Sequence, residues 1–137
     1  MPGQRDRVII DTNLWISFLL TKNFTRLDKM ISHKEVVLLF SQELINEIVE
    51  VTQRRKFRKY FSLDDVENLL TKIKSRAEFI KVESILTYCK DPKDNFLLSL
   101  SIDGDATHLI TGDKDLLVLE KYVKTKILSI AEYLNLQ

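Results

Sequence analysis

The stretch Arg7-Val8-Ile9-Ile10-Asp11-Thr12-Asn13 constrains this chain's fold more than any other. A β-branched run ends on an acid, and an apolar helical pattern (Leu14, Trp15, Ile16, Phe18, Leu19, Leu20) begins at once. Three consecutive apolar residues with no polar alternation read as a strand buried on both faces, as in a parallel sheet covered by helices. An acid at the carboxyl end of such a strand faces the crevice where open α/β sheets bind ligands.

The strand-then-helix unit recurs. Met1 to Asp6 reads as a polar, flexible lead-in. Thr25 reads as the cap of a helix over Arg26 to Ser32. Glu35 to Phe40 is a second buried strand, and Ser41 caps a patterned helix from Gln42 to about Arg54. Phe57 to Phe61 continues as a short helix or turn. Ser62-Leu63-Asp64-Asp65 restarts a helix expected to reach about Phe79, with Ile80-Lys81-Val82 a weak strand after it. Asp91-Pro92-Lys93-Asp94 is a turn opening a helix from about Asn95 to Ile102, which Gly104 ends. Thr107 to Thr111 and Lys126 to Leu128 are further strands. Gly112-Asp113 leads into a brief helix through Leu119, and Ser129 with Glu132 boxes the last helix. Strands separated by helices with short connections imply an α/β fold, a three-layer α/β/α sandwich around a central parallel sheet, in one domain over residues 7–137.

Composition narrows the chemistry. A single cysteine, Cys89, rules out an internal disulfide and suits a reducing, cytoplasmic setting. One Cys and 2 His make a poor zinc site, whereas 20 Asp plus Glu offer oxygen ligands for Mg²⁺ or Mn²⁺. A net charge of +1 means that any nucleic-acid binding comes from a local patch or through a metal. The apolar run from Val8 to Leu20 is broken by Asp11 and Asn13 and is too short for a bilayer, so neither a signal peptide nor a membrane span is expected.

Four acids sit at comparable junctions. Asp11 follows the first strand, where helix capping alone would also explain it. Asn13 could orient a metal-bound water or bond backbone in the turn. In the helix from Gln42, at roughly 100° per residue, Leu44, Ile45, Ile48, Val49 and Val51 form an apolar arc. Glu43 and Glu50 point away from this arc, and Glu47 lies at its margin, where a carboxylate can look into a crevice or pair with a lysine. One of Asp91 and Asp94 caps the next helix and leaves the other free. Asp113 follows Leu109-Ile110-Thr111 through one glycine, and Asp115 is better suited to the next helix's first turn. Two carboxylates about 5 Å apart repel by about 3 kcal/mol at an effective dielectric of about 20. Four gathered together therefore call for a cation, and an all-oxygen set selects Mg²⁺ or Mn²⁺, one or two ions. Such a centre activates water and stabilises charge developing on a phosphodiester.

Arg54-Arg55-Lys56-Phe57-Arg58-Lys59-Tyr60 packs five cations and two aromatics into seven residues. It reads either as a helix carboxyl end complementing the macrodipole or as an arm gripping phosphates, and the two are compatible. Cys89 and His108 read as structural, and Trp15 as core or interface.

Taken in order, Val8 to Asn13, Ser41 to Glu47, Asp91 to Asn95 and Thr111 to Leu117 resemble the PIN domain, above all its branch of toxins from type II toxin–antitoxin systems. The resemblance runs from Arg7 to Leu134. It implies a metal-dependent ribonuclease whose acidic quartet is Asp11, Glu47, Asp94 and Asp113, with Asn13, Asp91, Thr111 and Asp115 beside it. It also implies an RNA substrate positioned by Arg54, Arg55 and Lys56, and a cognate antitoxin protein as partner. Apolar helix faces would suit a homodimer. The competing readings are a catalytically silent PIN-like binding module and another Mg²⁺-dependent phosphate-transfer enzyme. A haloacid dehalogenase-type phosphatase would want Asp-x-Asp at the first strand, where this chain has Asp11-Thr12-Asn13.

Overall fold

The computed structural model describes residues 5–32 and 35–136. Its strands are β1 (Asp6–Ile10), β2 (Val36–Phe40), β3 (Ala77–Phe79), β4 (His108–Ile110), β5 (Lys121–Tyr122) and β6 (Thr125–Leu128). They form one sheet in the order β3-β2-β1-β4-β6-β5. β1 pairs in parallel with β2 on one side and β4 on the other, so neither edge is free. That central place is why Val8, Ile9 and Ile10 are all buried and show no polar alternation. From β1 the chain builds outward to β2 and β3, then returns to lay β4 on β1's other side. The strand order therefore reverses between β1 and β4, and a crevice opens outside the carboxyl ends at such a point.

Helices α1 (Thr12–Thr21), α2 (Thr25–Ser32), α3 (Gln42–Thr52), α4 (Leu63–Ile73), α5 (Pro92–Asp103), α6 (Lys114–Leu117) and α7 (Ile130–Asn135) flank the sheet. Their starts follow the sequence's capping residues. Ser41 Oγ accepts the Leu44 N–H at 3.1 Å, and Ser62 with Asp65 and Ser129 with Glu132 form complete capping boxes. α1 packs on α3. Trp15 fills the space beneath, edge-on to Phe18 at 5.9 Å and tilted against Phe40 at 5.4 Å, so it belongs to the core. Among the described residues no helix is long and apolar enough to cross a membrane.

Several boundaries differ from the sequence reading. β1 already begins at Asp6, and Tyr133 donates to its carboxylate at 2.7 Å; residues 1–4 of the expected lead-in lie outside the described residues. Thr25 is helical rather than a cap, and its N–H goes to Asn23 Oδ1 at 3.1 Å. α4 stops at Ile73 instead of running to Phe79, and the chain tightens through a 3₁₀ turn into β3. The open edge of β2 needs a hydrogen-bonding partner, and Ala77–Phe79 meets it before Ile80-Lys81-Val82 can. α5 starts at Pro92, three residues early, because a proline fits the first helical turn. The antiparallel strand β5, too short to carry a pattern, was not anticipated.

Gly104 closes α5 where β2 passes underneath. A Cβ there would stand 2.9 Å from Leu39 Cδ1 and 3.0 Å from the Leu100 carbonyl. Leu39 is buried and the carbonyl is backbone, so neither yields readily. Gly104→Ala is expected to destabilise the fold by about 1–3 kcal/mol, read as a lower urea midpoint with an unchanged slope.

Candidate metal centre

The site forms at the point where the strand order reverses. Asp11 leaves β1 with its N–H still bonded to the Ile110 carbonyl at 3.1 Å, continuing the β1–β4 ladder. One carboxylate oxygen caps α1, accepting from the Leu14 N–H at 2.8 Å. The other accepts the Thr111 hydroxyl. Asp11 thus caps α1 with one oxygen and lines the crevice, its other oxygen bonded to Thr111. Thr111 is buried just past β4, and its Oγ1 also accepts the Asp113 N–H at 3.0 Å. A single hydroxyl therefore fixes the acid after β1 and the acid after β4.

Pro92 settles which acid of the Asp91–Asp94 pair caps α5. Asp91 is exposed and accepts the Lys93 N–H at 2.9 Å, which frees Asp94 in the first helical turn, where it is buried. Asp113 caps α6 through the Asp115 N–H at 2.9 Å. Asp94, Asp113 and Asp115 bring carboxylate oxygens within 4.8 Å of one another. Asp115 is thus both a first-turn acid and part of this cluster.

Glu47 reaches the same crevice from α3, half-buried, whereas Glu43 and Glu50 are exposed. Asp11, Asn13, Glu47, Asp91, Asp94 and Asp113 all line this crevice, together with Arg54 and Lys93. Asn13 is exposed on its wall. Arg54 is held by Glu50 through bonds of 3.2 and 3.0 Å. Arg55 and Lys56 are exposed on the turn after α3 but are not among the lining residues. The aromatics of that turn divide: Phe57 and Phe61 pack together at 6.0 Å, and Tyr60 is exposed. Lys93, which the sequence reading passed over, lies 3.4 Å from Glu47 Oε1. The one local hint was a cation at a helix amino terminus, where the dipole disfavours it.

Burial pushes the Asp11 carboxyl up, against hydrogen bonds from Thr111 and from the Leu14 and Gly112 N–H groups that pull it down. Asp94 is moved furthest, from 3.8 to about 7, first by burial, then by its hydrogen bond to Asp113 and by the charges of Asp113, Asp91 and Asp115. In the folded state Asp94 therefore holds its proton to a higher pH than an ordinary carboxyl. The folded state holds this proton where the unfolded chain has lost it. Asp94 thus makes metal-free stability fall as pH rises from about 4 to about 7, and contributes no further slope above. Asp94→Asn is expected to remove that decline, measured as the difference in urea midpoints between the two proteins across the window.

Cys89 and His108, read from the sequence as structural, are not among the lining residues. Cys89 is half-buried, its thiol pushed up mainly by burial, and Asn95 brackets its backbone with bonds of 2.6 and 2.8 Å. His108, held down by burial, stacks edge-on to Tyr133 at 5.0 Å.

Comparison with known proteins bears on this arrangement. A family model of the PIN domain matches residues 7–115. No curated protein sequence matches the chain. Among solved structures, the crystal structure of VapBC2 from Rickettsia felis bound to a DNA fragment from their promoter has a similar chain, with TM-score 0.60 and 14% identity over 88% of this chain and 96% of that one. The crystal structure of Mycobacterium tuberculosis VapC20, a sarcin-ricin loop cleaving toxin, aligns with TM-score 0.53 and 12% identity over 87% of this chain and 98% of that one. At such identities the likeness speaks to the fold, an open sheet with its crevice between β1 and β4, while the family match spans the stretch that carries all four acids. This chain belongs to the PIN domain family.

Proposed function

We propose that this chain is a divalent-metal-dependent ribonuclease that hydrolyses RNA phosphodiester bonds and acts as the toxin of a toxin–antitoxin pair. The observation that carries the reading is the convergence of Asp11, Glu47, Asp94 and Asp113 on one crevice at the reversal of strand order. The donor set fits Mg²⁺ or Mn²⁺. It is made of carboxylate oxygens, and three of them, from Asp94, Asp113 and Asp115, lie within 4.8 Å of one another, where a cation relieves repulsion.

Asp11, Asp94 and Asp113 are the residues that would hold the ion, with Asp115 at the rim and Glu47 on the facing wall. When bound, a divalent ion lowers the pKa of water and stabilises the charge that builds on a phosphodiester. The chain's own contribution is placement. Thr111 locks the Asp11 carboxylate while α1 and α6 take its neighbours' backbone bonds, so the acids need little reorganisation when the ion arrives. Asn13, exposed on the wall, offers an amide to a water or a phosphate oxygen. Arg54 at the rim, with Arg55 and Lys56 on the adjoining turn, attracts the RNA backbone. Asp91 serves as the cap of α5. The fold shared with VapC20, a sarcin-ricin loop cleaving toxin, supports the toxin assignment, and the fold shared with VapBC2 supports an antitoxin partner.

Incubating the purified chain with a structured RNA tests the reading. Cleavage is expected with Mn²⁺ or Mg²⁺ and is expected to vanish with EDTA. Cleavage that persists in EDTA and co-purifies with the protein would overturn the metal dependence.

A further inference from the structure

We propose that Lys93 supplies the second positive charge of the crevice, so that this chain takes one divalent ion where its carboxylates alone would take two. The inference rests on the metal reading above and deepens it.

The acids are not equivalent neighbours. Asp94, Asp113 and Asp115 bring oxygens within 4.8 Å of one another, and the Thr111 hydroxyl ties Asp11 to Asp113. Neither Asp11 nor Glu47 is in the clustered group, and Glu47 is set apart further. It stands on α3, across the crevice, and already has a cation: Lys93 Nζ at 3.4 Å. Centres with two ions place them about 3.5–4 Å apart, bridged by shared ligands. A second dication set on Glu47 would meet an ammonium already in its place.

The position of Lys93 makes the arrangement specific. It is the second residue of α5, directly after Pro92, at the positive end of the helix dipole. A cation is disfavoured there unless acids compensate it. Glu47 does so directly, with Asp91 and Asp94 flanking Lys93 in the chain. An ammonium on a four-carbon stem is a compact, mobile charge, and the Lys93 side chain is 57% exposed against 24% for Glu47. Its contact with Glu47 makes Lys93 a stand-in for an ion.

Calorimetric titration of the metal-free full-length protein with Mn²⁺ reads this directly. The wild type and Lys93→Arg are expected to bind one ion per chain. Lys93→Met is expected to take up a second, and adding Glu47→Gln to Lys93→Met is expected to abolish it again. Two ions on the wild type, or one on Lys93→Met, would overturn the inference while leaving the metal reading in place. No Mn²⁺ binding by the wild type would remove both.

Discussion

Asp11→Asn is expected to lower RNA cleavage by about two to three orders of magnitude with almost no change in stability. The substitution keeps the shape of the side chain, and asparagine is as good a helix cap as aspartate. Its amide oxygen can still accept the Leu14 N–H, now made at 2.8 Å, or the Thr111 hydroxyl. What it loses is the negative charge at the strand end where β1 and β4 part. Burial already pushes this carboxyl up, so its charged form gains from a cation beside it. Single-turnover cleavage rates at saturating Mn²⁺, with thermal melts of both proteins, separate the two effects. A variant that melts like the wild type but cuts at the same rate would exclude Asp11 from the chemistry.

Trp15→Ala is expected to cost about 3–5 kcal/mol, a large share of the roughly 5–15 kcal/mol that holds a domain of this kind together. Trp15 is 1% exposed and is among the largest side chains of the core. Its indole lies between Phe18 and Phe40, joining α1 to the end of β2. Its Nε1 is buried with no hydrogen-bond partner among the described residues, so the residue is retained for its volume and not for its N–H. Trp15→Phe, which keeps much of that volume and removes the unsatisfied donor, is expected to cost far less. The effect extends to the crevice, because the Trp15 backbone N–H bonds the Asp11 carbonyl at 3.2 Å and a shift of α1 carries Asp11 with it. Urea unfolding of the three proteins provides the comparison.

The sequence made legible what depends on burial and on local chemistry. Val8-Ile9-Ile10 and Val36 to Phe40 read as strands because central parallel strands are apolar on both faces. β3 and β5 lie at the two edges of the sheet, where that signal is absent, and the helix before β3 was carried too far. Capping serines announce themselves through the acid three residues on, and Ser62 and Ser129 both behave so. The crevice followed partly from the same logic. Asp11 and Asp113 were visible as strand-end acids, and the apolar arc of α3 singled out Glu47. Pro92 already decided between Asp91 and Asp94, since a proline in the first helical turn makes the preceding residue the cap. Lys93 was missed because its partner lies on another helix, and no periodicity reports a contact between α3 and α5. Arg55 and Lys56 are exposed on the turn after α3 beside Arg54, and of the three only Arg54 lines the crevice.

Diffraction from crystals soaked in Mn²⁺, with an anomalous map, locates the ion without relying on turnover. The expected result is a peak in the crevice between β1 and β4, in contact with the carboxylates of Asp94 and Asp113 and facing Asp11. A peak elsewhere on the molecule, or an empty crevice at a Mn²⁺ concentration that supports cleavage, would contradict a metal centre built from these acids.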